Sequence, residues 1–289
     1  MVENQSFNPE LFKAKARDTW NAAARGWDEH TPQIHDWLAD PTQRMLDLAS
    51  IKSGFHVLDV AAGAGDQTLS AAERTGPTGN VLATDISPAI LELAAANARK
   101  AGLNNIEFKV ADAENLDLPA ESFDAAICRL GLMLCPNPAK VLDGVHHALK
   151  PGSRACTLVF SQPDKNPSVG ILIQLALKHT GLTQGDPYQP GGLFSLSKPG
   201  TIDELFTRAG FQEVSTTVLS APFNLPSSSA YMKFMRSSAG PIIQMLSKLG
   251  ETERNAAWNE MEERLNIYNV ADGWQGPNEL LLTVGRVQH

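Results

Sequence analysis

Three aspartates stand where short apolar runs end, and they are the residues best suited to hold a polar ligand. Asp59 closes the run HVLD, Asp85 closes VLATD, and Asp112 follows IEFKV. A carboxylate accepts two hydrogen bonds at once, so Asp85 suits the paired hydroxyls of a ribose. Asp112 can accept a hydrogen bond from an exocyclic amine such as that of adenine. Together the three aspartates favour a nucleoside-binding site.

The segment that follows Asp59 is short of side-chain bulk. Residues 61–65, AAGAG, carry only methyl groups or hydrogens, so a ligand can approach the backbone closely. Gly63 and Gly65 do not complete a G-x-G-x-x-G motif, because Thr68 stands where the third glycine would be. A pyrophosphate held on the helix N-terminus is therefore disfavoured. A tight strand-to-helix turn alone would explain the two glycines; the aspartates make the ligand site the stronger interpretation.

The three aspartates can meet only if their strands are parallel neighbours. From Phe55 onward, short apolar runs alternate with helical segments, and Ser87-Pro88 and Asn137-Pro138 have the form of helix starts. This alternation predicts an α/β, doubly wound Rossmann-like sheet, in which ligands bind outside the carboxyl ends of the strands.

Helical segments flank the alternating block on both sides. We expect an N-terminal helical cap over residues 1–50, a cofactor-binding core over 51–221, a helical substrate-cap insertion over 222–278 and a final core strand over 279–289. Breaks are expected in the N-terminal helices at Thr31-Pro32 and Asp40-Pro41. All five tryptophans and all three tyrosines lie outside the alternating block. Packing would explain any single ring, but as a group they are typical of a lid over an apolar pocket.

Composition narrows the class of partner. The chain has 289 residues and a formal net charge of −8, and this charge disfavours nucleic acid. Lys13, Lys15 and Arg17 are interpreted as a solvated helix face. The three cysteines lack the spacing of metal ligands, and Cys128 and Cys156 fall in apolar runs, so these two are expected to be buried free thiols and no metal is predicted. The polar N-terminus and the lack of a long apolar run favour a cytoplasmic protein without membrane insertion.

Several motifs resemble those of a known family. VLDVAAGAGDQT, VLATDISPAILELAAANA, VADAENLDLPAESFDAAICRLGLM and HALKPGSR are similar to the signatures of class I S-adenosylmethionine-dependent methyltransferases, in the ubiquinone/menaquinone C-methyltransferase-like branch. The resemblance covers about residues 50 to 160. It implies a seven-stranded sheet with an antiparallel last strand, S-adenosyl-L-methionine as cofactor and S-adenosyl-L-homocysteine as product.

The resemblance also assigns residues to the cofactor. It places around it Trp27, Asp59, Ala61, Gly63, Gly65, Gln67, Asp85, Ile86, Asp112, Ala113 and Arg129. Ala61 replaces the usual first glycine of the motif. Trp27 stands where a tyrosine is frequent, so a hydroxyl contact to the cofactor is absent there.

The motifs identify the methyl donor but not the acceptor. A neutral thioether leaves from a sulfonium, so no general acid is required, and a base is needed only if the acceptor still carries its proton. The catalytic residue is thus unknown; His30 and His35 are the candidate bases, against ordinary surface or capping roles. Substrate contacts are expected from Met133, Tyr231, Phe234 and Met235, although core packing explains the last three slightly better.

Three functions are left open. The first is methyl transfer to carbon, oxygen or nitrogen of an apolar or aromatic small molecule, by an enzyme that could form a homo-oligomer. The second is a repurposed cofactor-binding protein with a non-methylating role such as cyclisation. The third, an NAD(P)-dependent oxidoreductase of the short-chain type, is disfavoured because no tyrosine has a lysine four residues later.

Overall fold

A seven-stranded sheet forms the centre of the computed structural model, which describes residues 8–288. Its strands are β1 (His56–Val60), β2 (Asn80–Asp85), β3 (Ile106–Val110), β4 (Phe123–Arg129), β5 (Leu149–Phe160), β6 (Gln212–Ser220) and β10 (Glu279–Arg286), in the order β3-β2-β1-β4-β5-β10-β6. Strands β1 to β5 are parallel, and β10 runs antiparallel to both of its neighbours. The predicted Rossmann-like sheet with an antiparallel last strand is confirmed.

Ten α-helices surround the sheet within the described residues. They are α1 (Pro9–Glu29), α2 (Thr31–Leu48), α3 (Asp66–Thr75), α4 (Pro88–Lys100), α5 (Pro138–Ala148), α6 (Pro167–Thr180), α7 (Thr201–Arg208), α8 (Ser228–Ser238), α9 (Gly240–Leu246) and α10 (Glu251–Leu265). The predicted helix starts are confirmed, because the side chains of Asn8, Ser87 and Asn137 each accept a backbone N–H from the first turn of their helix.

The N-terminal helices follow the predicted breaks only in part. The chain does break between α1 and α2, but the break expected at Asp40-Pro41 is wrong, since α2 continues through Pro41. Leu38 on one side of the proline and Met45 and Leu46 on the other are fully buried. Packing on both sides therefore holds the helix together across the missing hydrogen bond.

Helix α1 contacts α4, α8 and α9. The contact with α8 is close: a Cβ atom added to Gly26 would lie 2.1 Å from the carbonyl oxygen of Ser237. Gly240 at the start of α9 is similarly close, because its added Cβ would lie 2.5 Å from Cγ2 of Thr19. Only glycine permits α1 to approach the two helices to these distances.

The segment over residues 222–278 contains α8, α9 and α10, and also a small sheet that the sequence analysis did not predict. Strands β7 (Phe223–Leu225), β8 (Asn269–Val270) and β9 (Gly273–Gly276) pair in the order β7-β9-β8. Trp274 of β9 stacks on Tyr231 of α8, with ring centroids 4.6 Å apart. Its indole Nε1 donates to the Leu265 carbonyl at 2.8 Å, so the small sheet ties α8 to the end of α10.

Cys128 and Cys156 are buried free thiols, as predicted, and burial raises the pKa of Cys128 to about 12. Among residues 8–288, no helix combines the length and apolar character needed to cross a membrane. Residues 1–7 of the expected cap and residue 289 of the expected last strand lie outside the described residues.

Candidate cofactor and substrate site

A cavity of about 1030 Å³ opens over the carboxyl ends of the parallel strands. Its floor follows the strand order, from the end of β3 through β2, β1 and β4 to the end of β5. Its roof comes from α1, α2, α6, α8, α9 and the loop over residues 184–194. Single-ligand pockets rarely exceed this volume, so the cavity can hold a cofactor and a second ligand together.

Asp85 holds the turn after β1 in place. Its Oδ2 accepts from the backbone N–H of Gly63 at 3.0 Å, and its Oδ1 accepts from Ser87 N–H at 2.9 Å. Burial raises the pKa of this carboxyl, although the backbone hydrogen bonds oppose the effect. A carboxylate has about four acceptor sites, so capacity remains beside these backbone N–H groups, and a Cβ at Gly63 would meet nothing within 4 Å. The turn is thus open toward the cavity where a ribose would need it.

Ala61 and Gly131 lie against each other where β1 and β4 end. Ala61, in the position of the usual first glycine, has a φ of +57°, a conformation that L-residues adopt at a cost. A Cβ at Gly131 would lie 2.4 Å from the Cβ of Ala61. Because Gly131 has no side chain, there is room for the methyl group of Ala61, which is unusual at this position.

Asp112 is paired with a lysine that the sequence analysis placed in solvent. Lys13 of α1 is only 8% exposed, and its Nζ lies 2.8 Å from Asp112 Oδ2 and 3.5 Å from Glu114 Oε2. Lys15 and Arg17 are exposed, so the expected solvated face is wrong for Lys13 alone. Partial burial acts to raise the pKa of Asp112, but the hydrogen bonds from Lys13 and its neighbours outweigh it and lower that pKa.

Asp59 lies behind the cavity wall rather than in it. The side chain has no exposed surface and accepts from Thr68 Oγ1 at 2.5 Å and from Gln67 Nε2 at 3.3 Å. Gln67 Nε2 also donates to the Ala62 carbonyl at 3.1 Å, and Gln67 itself lines the cavity. Burial raises the pKa of Asp59 to about 7, against the hydrogen bonds and the charge of Arg129. Asp59 can therefore act on a ligand only by orienting Gln67.

Arg129, at the end of β4, is part of a polar cluster that the sequence analysis missed. Its Nη1 donates to Asp66 Oδ2 at 2.6 Å and to Thr42 Oγ1 at 2.8 Å. The second oxygen of Asp66 lies 2.8 Å from Nδ1 of His35. Arg129 and Asp66 line the cavity, whereas His35 does not. Asp66 could have been predicted as a site residue, because it is an acidic residue directly after the glycines that follow β1. No feature of the sequence marks Thr42 as a site residue.

Neither candidate base reaches the cavity directly. His30 is 7% exposed and lies between α1 and α8, with Nδ1 donating to the Gly26 carbonyl at 2.8 Å. Its ring lies 5.1 Å from that of Phe234. His35 approaches the cavity only through its contact with Asp66. Among the described residues that line the cavity there is no histidine.

Aromatic rings form one wall of the cavity. Trp37 stacks on Phe223 with centroids 4.3 Å apart and donates from Nε1 to the Ala221 carbonyl at 2.7 Å. Phe223 in turn contacts Tyr231 and Phe234, at centroid distances of 5.6 Å and 5.7 Å. Burial raises the pKa of the Tyr231 phenol above its usual range. This wall is suited to bind an apolar or aromatic ligand by shape rather than by charge.

Trp27 contributes its ring but not its N–H. Its Nε1 donates to the Ser238 carbonyl at 3.1 Å, and its ring meets that of Phe234 edge-on at 5.9 Å. The indole N–H is therefore already used to attach α1 to α8.

The structure brings most of the predicted site residues together. Those that line the cavity are Trp27, Ala61, Gly63, Gln67, Asp85, Ile86, Asp112, Ala113, Arg129, Met133, Tyr231, Phe234 and Met235. Those that do not line it are Asp59, Gly65, His30 and His35. Fold and site together define a Rossmann-like enzyme with an adenosyl-type site beside an apolar chamber.

Comparisons with known proteins agree with this class. A family model described as a methyltransferase domain matches residues 51–180. The chain is 31% identical over 233 residues to the demethylmenaquinone methyltransferase of Lactococcus lactis, with 74% of this chain and 88% of that protein covered. It is also 31% identical over 165 residues to the ubiquinone/menaquinone biosynthesis C-methyltransferase UbiE of Pseudomonas aeruginosa, covering 55% of this chain and 63% of that protein.

Solved structures share the fold. The YcgJ protein of Bacillus subtilis superposes with a TM-score of 0.58 at 19% identity, covering 86% of this chain and 98% of that one. The chain thus belongs to the class I S-adenosylmethionine-dependent methyltransferases, in the ubiquinone/menaquinone C-methyltransferase-like branch.

Proposed function

We propose that this enzyme transfers the methyl group of S-adenosylmethionine to a ring carbon of an apolar, electron-rich aromatic compound of the phenol or hydroquinone class. The observation that carries the proposal is the single cavity that runs from Asp85 and Asp112 to the aromatic wall around Phe223 and Phe234. The names of the Lactococcus and Pseudomonas relatives, which refer to demethylmenaquinone and to C-methylation, support the choice of ring and atom.

The residues at the strand ends fit the cofactor. Asp85 has acceptor capacity left for ribose hydroxyls, with Ile86 beside it, and Asp112 with Ala113 is the acceptor for the adenine amine. The open surface at Gly63 gives the cofactor access to the backbone, and Gln67, held by Asp59, faces the same space. When bound, the cofactor supplies an activated methyl group, which is transferred by in-line displacement while a neutral thioether leaves without acid catalysis.

The aromatic wall fits the acceptor. Tyr231, Phe234 and Met235 of α8 line the cavity together with Met133, which follows β4. Their contribution is to orient the ring and exclude water. We assign the segment over residues 222–278 as the substrate cap on this basis.

A labelling experiment tests the proposal. The enzyme is incubated with methyl-labelled S-adenosylmethionine and a panel of reduced demethylated naphthohydroquinones, simple phenols, aliphatic amines and thiols. Mass spectrometry reports transfer, and NMR locates the methyl group. We expect a carbon-bound methyl on the hydroquinone or phenol ring; methylation confined to amines or thiols, or cofactor binding without any transfer, would contradict the proposal.

A matched pair of variants tests the position of the acceptor. Phe234→Leu should raise the acceptor KM and leave the dissociation constant of S-adenosylhomocysteine unchanged. Phe211→Leu shortens an equally buried ring that does not line the cavity, so it controls for lost packing. Equal effects of the two variants on the acceptor KM would show that the aromatic wall does not bind the acceptor.

A further inference from the structure

Arg129 lies where the two halves of the cavity meet. The strand order places the end of β4 between the β1 turn and the end of β5, where Phe160 begins the aromatic wall. Among the described residues that line the cavity, the other cations are Lys13 and Lys15 of α1. Lys13 is held at Asp112, at the opposite end of the strand row.

Half of the Arg129 guanidinium is available to a ligand. Nη1 is occupied by Asp66 and Thr42, at 2.6 Å and 2.8 Å. For Nε and Nη2, no hydrogen-bond acceptor is found among residues 8–288, and neither nitrogen is fully buried. Since the side chain is only 6% exposed and lines the cavity, these N–H groups face the cavity. A guanidinium anchored on one edge and free on the other is suited to bind an anionic oxygen.

We propose that the free edge of Arg129 binds the oxyanion of the methyl acceptor. This inference rests on the proposed function, because it requires an acceptor with an ionisable hydroxyl. As the acceptor binds, its hydroxyl proton passes to solvent water, and the negative oxygen takes its place against Nε and Nη2. The ionised oxygen raises electron density at the neighbouring ring carbon, which attacks the methyl group as the bond between methyl and sulfur breaks. The proton on that carbon then passes to solvent water, and the ring becomes aromatic again. Arg129 is then a catalytic residue, and Asp66 and Thr42 hold its guanidinium in position.

A cofactor carboxylate has the same chemistry as an acceptor oxyanion. The strand order favours the acceptor, since Asp112 and Asp85 place the adenosyl part over β3 and β2, while Arg129 lies past β1 toward the aromatic wall. The test therefore measures the two anions separately.

The probe is 4-nitrophenol, whose phenol and phenolate forms absorb at different wavelengths. It is titrated with pH while bound to the S-adenosylhomocysteine complex of the full chain, and the dissociation constant of S-adenosylhomocysteine is measured by calorimetry. We expect the wild-type complex to lower the pKa of bound 4-nitrophenol by about 1 to 3 units relative to the free compound. Arg129→Gln should abolish this lowering, and Arg129→Lys, which keeps the charge, should restore part of it. Arg44→Gln removes an exposed arginine of α2 and should behave as wild type.

Each contrary result points to a different error. If bound 4-nitrophenol has its free pKa in the wild-type complex, the inference is overturned without reference to any variant. If Arg129→Gln weakens S-adenosylhomocysteine by about tenfold or more and leaves the pKa of the bound probe lowered, Arg129 binds the cofactor carboxylate. If wild type binds neither 4-nitrophenol nor a naphthohydroquinone, the proposed acceptor class fails and this inference fails with it.

Discussion

Replacing Gly26 by alanine tests whether the roof of the cavity is seated as the structure shows. The added Cβ would lie 2.1 Å from the carbonyl oxygen of Ser237 and 2.5 Å from its carbonyl carbon, and ordinary contact begins at 3.4 Å. Helices α1 and α8 must therefore separate by about 1 Å or more, since backbone atoms cannot turn aside. The separation also strains the hydrogen bond from Trp27 to the Ser238 carbonyl, which is 3.1 Å long.

The expected loss can be worked out from these contacts. Overpacking costs about 1–3 kcal/mol, and a weakened hydrogen bond costs about 1 kcal/mol more. Alanine in a helix returns about 0.5–1 kcal/mol, so Gly26→Ala should destabilise the closed roof by about 2 kcal/mol. Global unfolding would show this as a fall in Tm of about 4–8 °C. If the loss falls on cofactor binding instead, the Kd of S-adenosylhomocysteine rises by up to about thirtyfold.

The control makes the same change in a helix away from the cavity. An added Cβ at Gly144 of α5 would lie 3.8 Å from Leu116 Cδ1, an ordinary contact, so Gly144→Ala should stabilise the protein by about 0.5–1 kcal/mol. Thermal unfolding and calorimetry with S-adenosylhomocysteine are run on both variants. The reasoning is refuted if Gly26→Ala melts no lower than wild type and binds S-adenosylhomocysteine equally well.

Three further predictions concern the floor of the site. Ala61→Gly should raise the free energy of unfolding by up to about 1 kcal/mol in urea titrations, because glycine adopts the positive φ of residue 61 without strain; a clear loss of stability would contradict the stated conformation. Asp85→Asn should weaken S-adenosylhomocysteine by about 10- to 100-fold in calorimetry, because a charged acceptor for the ribose is lost; unchanged affinity would remove Asp85 from the cofactor site. Burial raises the folded-state pKa of Asp59 from its ordinary 3.8 to about 7. The folded protein therefore holds this proton more tightly than the unfolded chain does, and the contribution of Asp59 to stability falls as the pH rises from about 4 to 7. Asp59→Asn has no titrating group at this position. The free energy of unfolding of the variant, relative to that of wild type, should therefore rise by up to about 4 kcal/mol between about pH 4 and 7. Parallel curves of unfolding free energy against pH for the two proteins would show that Asp59 is not buried in this way.

Much of the sheet and of the cofactor side of the site was predictable because the signals are local. A strand that is buried on both faces is an apolar run, and the polar residue that ends it lies at the sheet edge whatever the rest of the chain does. Asp85 was found in this way, whereas Asp112 follows the edge strand β3, whose residues are at most partly buried. The caps at Ser87 and Asn137 are equally local, since each hydroxyl or amide needs only the first turn of its own helix.

The features that were missed depend on contacts between distant segments. Pro41 normally breaks a helix, but α2 is buried on both sides of it. Lys13 lies among charged neighbours on a helix that looks solvated, and only the approach of Asp112, 99 residues away, buries it. Thr42 meets Arg129 across 87 residues. No pattern within one segment distinguishes these side chains from ordinary surface residues.

Family membership describes the cofactor side of the cavity better than the acceptor side. The methyltransferase-domain match spans residues 51–180, which include the strand ends that carry Asp85, Asp112 and Arg129. Phe223 and Phe234, on the acceptor wall, lie outside that range, and Trp37, which stacks on Phe223, precedes it. Met133 and Phe160, which also line the acceptor side, lie within the matched range, so the domain match covers only part of that side. The chemistry of the acceptor is therefore inferred from the aromatic wall. We expect the negative charge of the acceptor to lie against the free edge of Arg129, between the cofactor side of the cavity and that wall.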